Sequence, residues 1–249
     1  MTLVVAMDTA TVCCSVAVGG EDGSLLAEVV APTGPAHTQR LLPDLHRALA
    51  MAGAAPEDIG TVVVGLGPGT FTGLRIGVAT ARALAQVSGA RLVGVPSLQS
   101  LLVELRSGDP LGGATAYVAL VDGKRREVFA AVLEASSATG AGAGPAADVQ
   151  RPLVVAADDI PELLGRHPGA LIGGDGARLY RDLLPPSATL SPLVGPPTAA
   201  MALRAWHGRA AGVVEGCDRV VPIYGREPDA QRWSARPRAG RRSAVSEGR

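Results

Sequence analysis

The sequence predicts an α/β fold in which a mixed sheet carries helices on its faces. Three observations predict it. The chain opens with three short β-rich runs joined by tight connections, and apolar runs then alternate with amphipathic ones through the first hundred residues. Of its 249 residues, 47% are apolar and 18% charged, which is ample for a core without disulfide or metal staples.

Leu3 to Met7, Ser15 to Val18 and Leu25 to Val30 are the β-rich runs, the last two separated by Gly19-Gly20-Glu21-Asp22-Gly23. Such short connections predict an antiparallel meander. A helix is predicted over Thr38 to Met51, with Leu41, Leu42, Leu45, Ala48 and Leu49 on one face and Gln39, Asp44 and Arg47 on the other. Pro43 inside it predicts a late start or a kink. Thr61 to Val64 is an apolar β-branched strand, followed by the turn Gly65-Leu66-Gly67-Pro68-Gly69 and a helix over Thr72 to Val87. Leu92 to Val95 is a further strand and Leu98 to Leu105 a further helix. The order β-β-β-α-β-α-β-α implies a mixed sheet with helical crossovers.

The second half carries fewer signals. Ala116 to Val121 and Glu127 to Leu133 predict a hairpin around Asp122-Gly123-Lys124-Arg125. Residues 135 to 148 are of low complexity and read as a flexible surface loop. A strand over Ala170 to Ile172 leads into Gly173-Gly174-Asp175-Gly176, and a late helix is predicted over residues 198–211.

Equal numbers of basic and acidic residues, 23 of each, argue against a surface that coats nucleic acid. No apolar stretch reaches the roughly 20 residues of a membrane helix. The opening Met1 to Asp8 lacks a basic n-region, and Cys13, Cys14 and Cys217 have neither disulfide nor zinc spacing. A cytoplasmic globular protein is expected, with no membrane contact. The charge is unevenly placed: seven Arg against three acids give Arg226 to Arg249 a net +4, leaving −4 upstream. With Trp233 as its one large apolar residue, the 227–249 tail is expected to be disordered and solvated, although a basic tail could touch RNA.

Four features bear on chemistry. Asp8 and Thr9, at the end of the first strand, could hold a metal-bound phosphate or simply cap an ordinary turn. The run Gly65 to Gly77 places glycines between a strand and a helix, which favours an anion. It has no Gly-Lys-Ser/Thr ending and is therefore no P-loop. Gly73, Gly77, Ala81 and Ala85, spaced by four, form a small-residue ridge to which a helix of this chain or of a partner could pack closely. Finally, the four histidines include no His-x-x-x-His pair, and no G-x-S-x-G elbow occurs.

Together these strings resemble the TsaB (YeaZ) family. The matching segments are Ala6-Met7-Asp8-Thr9-Ala10-Thr11, Cys14-Ser15-Val16-Ala17 and His37 to Pro43, then Val64 to Ala79 and Gly94 to Leu98, with weaker echoes at Asp122, Glu127-Val128-Phe129, Gly174-Asp175-Gly176 and Pro222-Ile223-Tyr224-Gly225-Arg226. The resemblance implies an actin-like ATPase (ASKHA, ribonuclease H-like) fold of two related lobes, expected at 1–98 and 99–226, in which the late helix could pack back on the first lobe. It also implies a non-catalytic scaffold or dimerisation subunit of the machinery that makes N6-threonylcarbamoyladenosine at tRNA position 37. The implied partners are a TsaD-like catalytic subunit and a TsaE-like ATPase, with tRNA met through the complex and a homodimer in isolation.

In TsaD-like proteins the corresponding third helix bears a metal-binding His-x-x-x-His, and here that spacing falls on Ser97 and Leu101. A hydroxyl and an isobutyl group cannot replace two imidazoles on a transition metal, so no catalytic residue, metal ligand or cofactor is expected. Leu41, Leu45, Leu49, Phe71, Gly73, Leu74, Gly77 and Ala81 are the expected partner interface. Asp8, Thr9, Gly67, Gly69 and Asp175 are the expected vestigial nucleotide site. Two departures from the family weaken second-lobe ligands: Asp122-Gly123-Lys124 stands where Asp-Ala-Arg is usual, and Phe129 where Tyr is common. The alternatives are an autonomous ATP-using enzyme of the same fold and a glycoprotease-like metallopeptidase.

Overall fold

The structure, a computed structural model, describes residues 2–32, 36–109, 111–135, 152–192 and 195–226. The loop expected over 135–148 lies, beyond Ala135, outside the described residues, as does the 227–249 tail. The first half runs β1 (Leu3–Asp8), β2 (Cys13–Gly20), β3 (Leu25–Pro32), α1 (His37–Met51), β4 (Ile59–Gly65), α2 (Phe71–Ser88), β5 (Arg91–Val95) and α3 (Ser97–Ser107). The second half repeats that order with β6 (Ala116–Lys124), β7 (Glu127–Glu134), β8 (Leu153–Ala156), α4 (Ile160–Gly165), β9 (Leu171–Gly173), α5 (Asp175–Leu179), β10 (Thr189–Leu190) and α6 (Ala199–His207). A short β11 (Val214–Glu215) follows.

The two sheets share one topology. In the first, β2 pairs antiparallel with β1 and β3, while β1, β4 and β5 run parallel. In the second, β7 pairs antiparallel with β6 and β8, while β6, β9 and β10 run parallel. The spatial orders are β11-β5-β4-β1-β2-β3 and β10-β9-β6-β7-β8. Two copies of one β-β-β-α-β-α-β-α unit therefore make the actin-like, two-lobed α/β fold that the sequence led us to expect.

Burial explains the layering. Every residue of β1 is buried, as a central strand covered on both faces requires. One face of the first sheet packs under α1 and α2, through Leu41, Leu45, Leu49, Val78, Ala81 and Ala85. The other packs against α6, where Ala199, Ala200, Ala202 and Leu203 meet Val4, Ala6, Ala17 and Val63. On α3, Leu98, Leu101, Leu102 and Leu105 join Tyr117, Ala119 and Phe129 of the second sheet. Between the sheets α3 and α6 touch, with Arg204 Nε donating to Glu104 Oε2 at 2.7 Å. The boundary expected after residue 98 thus falls inside α3, and residues 199–215 return a helix and a strand to the first sheet.

Three local expectations are corrected. Helix α1 does not start late: it begins at His37 and runs unbroken past Pro43, with Leu41, Leu45, Ala48 and Leu49 as its buried stripe. Leu42, expected on the apolar face, is exposed, whereas Asp44, expected on the polar face, is buried and pairs with Arg40 at 2.8 Å. The late helix ends at His207, four residues short of Ala211, with Gly208 at its C-cap.

Candidate functional site

The ends of β1 and β4 bring the sequence-predicted residues to the floor between the sheets. Asp8 is 1% exposed. Its Oδ1 accepts the Ala10 N–H at 2.9 Å, and its Oδ2 accepts the Ser97 hydroxyl at 2.7 Å. Ser97 Oγ in turn accepts the Gly67 N–H at 3.2 Å. Gly65 packs so closely that a Cβ there would land on Asp8 Oδ2. Burial raises the Asp8 carboxyl to about 6, against the pull of the Ala10 and Ser97 hydrogen bonds, and the charge of Asp175 adds to the rise.

Asp175 comes to the same floor from the other lobe, at the start of α5. Its Oδ1 accepts the N–H groups of Asp122 at 3.2 Å and Gly176 at 3.1 Å. Burial pushes its carboxyl up, and the neighbouring Asp122 adds to this. The Cys13 thiol is raised by burial and then by Asp175 and Asp8. The two lobes thus meet across carboxylates.

The glycines of the turn after β4 have structural employment. A Cβ on Gly69 would strike the Ala10 backbone, on Gly73 the Thr9 carbonyl, and on Gly77 the Thr9 hydroxyl. The Thr70 N–H donates to Ala10 O at 2.7 Å, and Thr9 Oγ1 donates to Gly73 O at 2.8 Å. Gly67 abuts Leu74 and the Ile223 carbonyl. These glycines let the β1–β2 connection lie directly on α2. The amides of Gly67 and Thr70 are bonded within the chain, and Asp8 and Asp175 present carboxyl groups to the floor, so a bare phosphate meets neither of those amides there.

The expected partner interface needs a similar correction. Leu41, Leu45, Leu49, Gly73, Leu74, Gly77 and Ala81 are all buried inside the chain. What approaches Gly73 and Gly77 is Thr9 of the same chain, while Ala81 and Ala85 pack in the core that α1 shares. Of the eight residues only Phe71 faces solvent, at 45% exposure. The solvent side of α2 lies two residues away, along Phe71, Arg75, Ala79, Ala83 and Val87, and Leu42 and Met51 are exposed on α1.

Sequence reasoning missed two arrangements. Ser97 was noted only for the imidazole it lacks, yet it is the hydroxyl partner of Asp8. Leu101, at the second position of that spacing, is fully buried and would meet a Cβ on Gly174 at 2.9 Å. The Pro222 to Arg226 string turns out to strap the lobes together. Ile223 N–H donates to Leu66 O at 2.8 Å, and Arg75 Nε donates to Tyr224 Oη at 3.1 Å. At its other end Arg226 pairs with Glu127 and donates to Lys124 O at 3.2 Å. Upstream, Arg82 Nη2 donates to the Cys217 and Val220 carbonyls, each at 2.8 Å.

No helix among the described residues is long and apolar enough to cross a membrane, and they contain no group of three or more His, Cys, Asp or Glu able to hold a metal ion.

Comparison with known proteins adds the following. Residues 27–153 match the TsaD family model, described as tRNA N6-adenosine threonylcarbamoyltransferase. An uncharacterized protein of Mycobacterium tuberculosis (strain H37Rv) is 33% identical over 234 residues, covering 92% of this chain and 93% of that protein. The tRNA threonylcarbamoyladenosine biosynthesis protein TsaB of Escherichia coli (strain K12) is 36% identical over 127 residues, so the match spans 51% of this chain and about half, 52%, of that relative. The structure of YeaZ from Pseudomonas aeruginosa superposes with a TM-score of 0.67 at 27% identity, covering 90% of this chain and 100% of that one.

Proposed function

The chain belongs to the TsaB (YeaZ) family, and on that premise we propose that it is a non-catalytic subunit of tRNA N6-threonylcarbamoyladenosine synthesis. In this reading it docks on a TsaD-like transferase, works with a TsaE-like ATPase, and meets tRNA through the assembled complex in the cytoplasm. One observation carries the non-catalytic part. At the two positions where the resemblance implies metal-binding imidazoles, Ser97 is hydrogen-bonded to Asp8 and Leu101 is packed in the core. Neither side chain can be recruited to a metal without breaking the floor between the lobes.

Docking is assigned to the outward face of α1 and α2. Ala79 and Ala83 keep the middle of the α2 face small, which lets a partner helix approach to about 8–10 Å. Leu42 and Met51, 60% and 61% exposed, and Val87, 88% exposed, supply the apolar area around it. In the absence of the transferase the same face serves a homodimer.

Copurification with the transferase of the same organism tests this. Ala83→Arg adds a long charged side chain at an exposed helical position and leaves the fold intact. It is expected to abolish copurification and to shift the free protein from dimer to monomer. Unchanged complex formation by a folded Ala83→Arg protein removes this face from the reading.

A further inference from the structure

Strand β8 bounds one side of the second sheet: among the described residues it pairs with β7, and no strand pairs with its other edge. That edge is apolar. Leu153 and Val154 are 51% and 45% exposed, and as neighbours in a strand they point to opposite faces of the sheet. A partner lying flat on either face covers one of them and leaves the other. An extended segment running along the edge covers both, because its alternate side chains also go to the two faces. Sheet proteins cover such edges rather than leave them to pair with other chains.

The chain itself arrives at this edge. Gly225 and Arg226 lie on Phe129 of β7: a Cβ on Gly225 would strike the ring, and the Arg226 guanidinium stands 5.7 Å from its centroid. Phe129 is the register partner of Val154, and Glu127, which pairs with Arg226, is the register partner of Ala156. Arg226 is therefore about one strand spacing, about 4.8 Å, from the open strand. Residues 227–249 follow it, and Trp233, seven residues on, can reach about 23 Å away.

The order of charge agrees along this path. Beside Arg226 the β6–β7 turn carries Lys124, Arg125 and Arg126, and past β8 come the exposed acids Asp158, Asp159 and Glu162. Beyond Arg226 the sequence runs in the complementary order, first Glu227 and Asp229, then Trp233 between Arg232 and Arg236. Pro228 and Pro237, which cannot donate to a ladder, bound a proline-free stretch of the length of a strand.

We propose that the segment Asp229–Arg236 of this chain docks along the open edge of β8 as a further strand, with Trp233 over Val154, and shuts that edge to other chains. This replaces the solvated tail that composition alone suggests. Tethering presents the segment to the edge at an effective concentration of the order of mM, ahead of a second copy or a separate peptide. The inference does not rest on the proposed function, because β8 lies in the sheet away from the α1 and α2 face.

Tryptophan fluorescence of the full chain tests it. Of the two tryptophans, Trp206→Phe leaves Trp233 alone. Acrylamide is expected to quench Trp233 at least about twofold less than in denaturing urea, to an extent independent of protein concentration. Adding Val154→Lys is expected to abolish this protection and adding Asp159→Arg to reduce it. Leu26→Lys, at an exposed site on β3 of the first sheet, leaves it unchanged. Circular dichroism checks folding, and Asp159→Arg decides if Val154→Lys does not fold. The proposal is overturned if native Trp233 is quenched as fully as in urea, if a folded Val154→Lys protein keeps the protection, or if Leu26→Lys removes it. Protection that grows with protein concentration assigns the edge to a second copy, and protection that needs added RNA assigns the tail to RNA. Either result overturns the proposal as well.

Discussion

Replacing Asp8 by Asn is expected to remove a loss of stability that sets in as pH rises toward neutral. The Asp8 carboxyl is raised from 3.8 to about 6 in the folded state, chiefly by burial. The native protein therefore holds this proton where the unfolded chain has released it, so Asp8 makes stability fall as pH rises from about 4 to about 6. A shift of this size corresponds to about 3 kcal/mol above pH 6. Asparagine removes the buried charge but keeps the shape. Its oxygen can still accept from Ala10 and its amide can donate to Ser97 Oγ, but the Ser97 hydroxyl hydrogen then loses the acceptor it has in Asp8 Oδ2, a cost that does not depend on pH. Urea denaturation at pH 4, 5.5 and 7 reads the difference between the two proteins, in which titrating groups that do not interact with Asp8 cancel. Between pH 4 and pH 7 the difference is expected to move by about 3 kcal/mol in favour of Asp8→Asn. A difference that does not move toward Asp8→Asn as pH rises would refute the reasoning.

The other expectations concern packing and thiol chemistry. Gly73→Ala drives a Cβ into the Thr9 carbonyl and Gly77→Ala into its hydroxyl, so each is expected to destabilise by about 1–3 kcal/mol, whereas Ala79→Arg on the exposed side stays within about 0.5 kcal/mol. Equal urea midpoints for the three variants would show that the glycine ridge does not face Thr9. Cys217 is exposed, while Cys14 is buried with its thiol raised to about 12. One fast-reacting thiol is therefore expected with Ellman's reagent at pH 8, lost in Cys217→Ser, and Cys14 should react only on unfolding.

Much of the first lobe was legible because its signals are local. The Gly19 to Gly23 turn joins two runs of half-alternating apolar residues, and Leu41, Leu45 and Leu49 recur at the helical period, so the elements followed. The second lobe was harder to read because β10 has two residues and α5 five, too short to carry a period. Its topology emerges only from the pairing of β6 with β9. The ridge of Gly73 and Gly77 was legible as a close approach, but spacing cannot say what approaches. Thr9 lies 64 residues from Gly73, and nothing in the helix's own sequence names it. Asp44 shows the same limit: a charge on a helix reads as a solvated face, and its burial depends on Arg40 one turn away. Ser97 was legible only as the loss of a ligand, since its bond to Asp8 joins residues 89 apart.

The most direct measurement of the central claim is reconstituted tRNA threonylcarbamoylation with the cognate transferase and ATPase, comparing this protein with its Asp8→Asn and Ala83→Arg variants. Full modification with Asp8→Asn and loss with Ala83→Arg, in step with loss of the complex, is the predicted pattern. Loss of modification with Asp8→Asn in an intact complex would contradict it, because the buried floor would then take part in the chemistry.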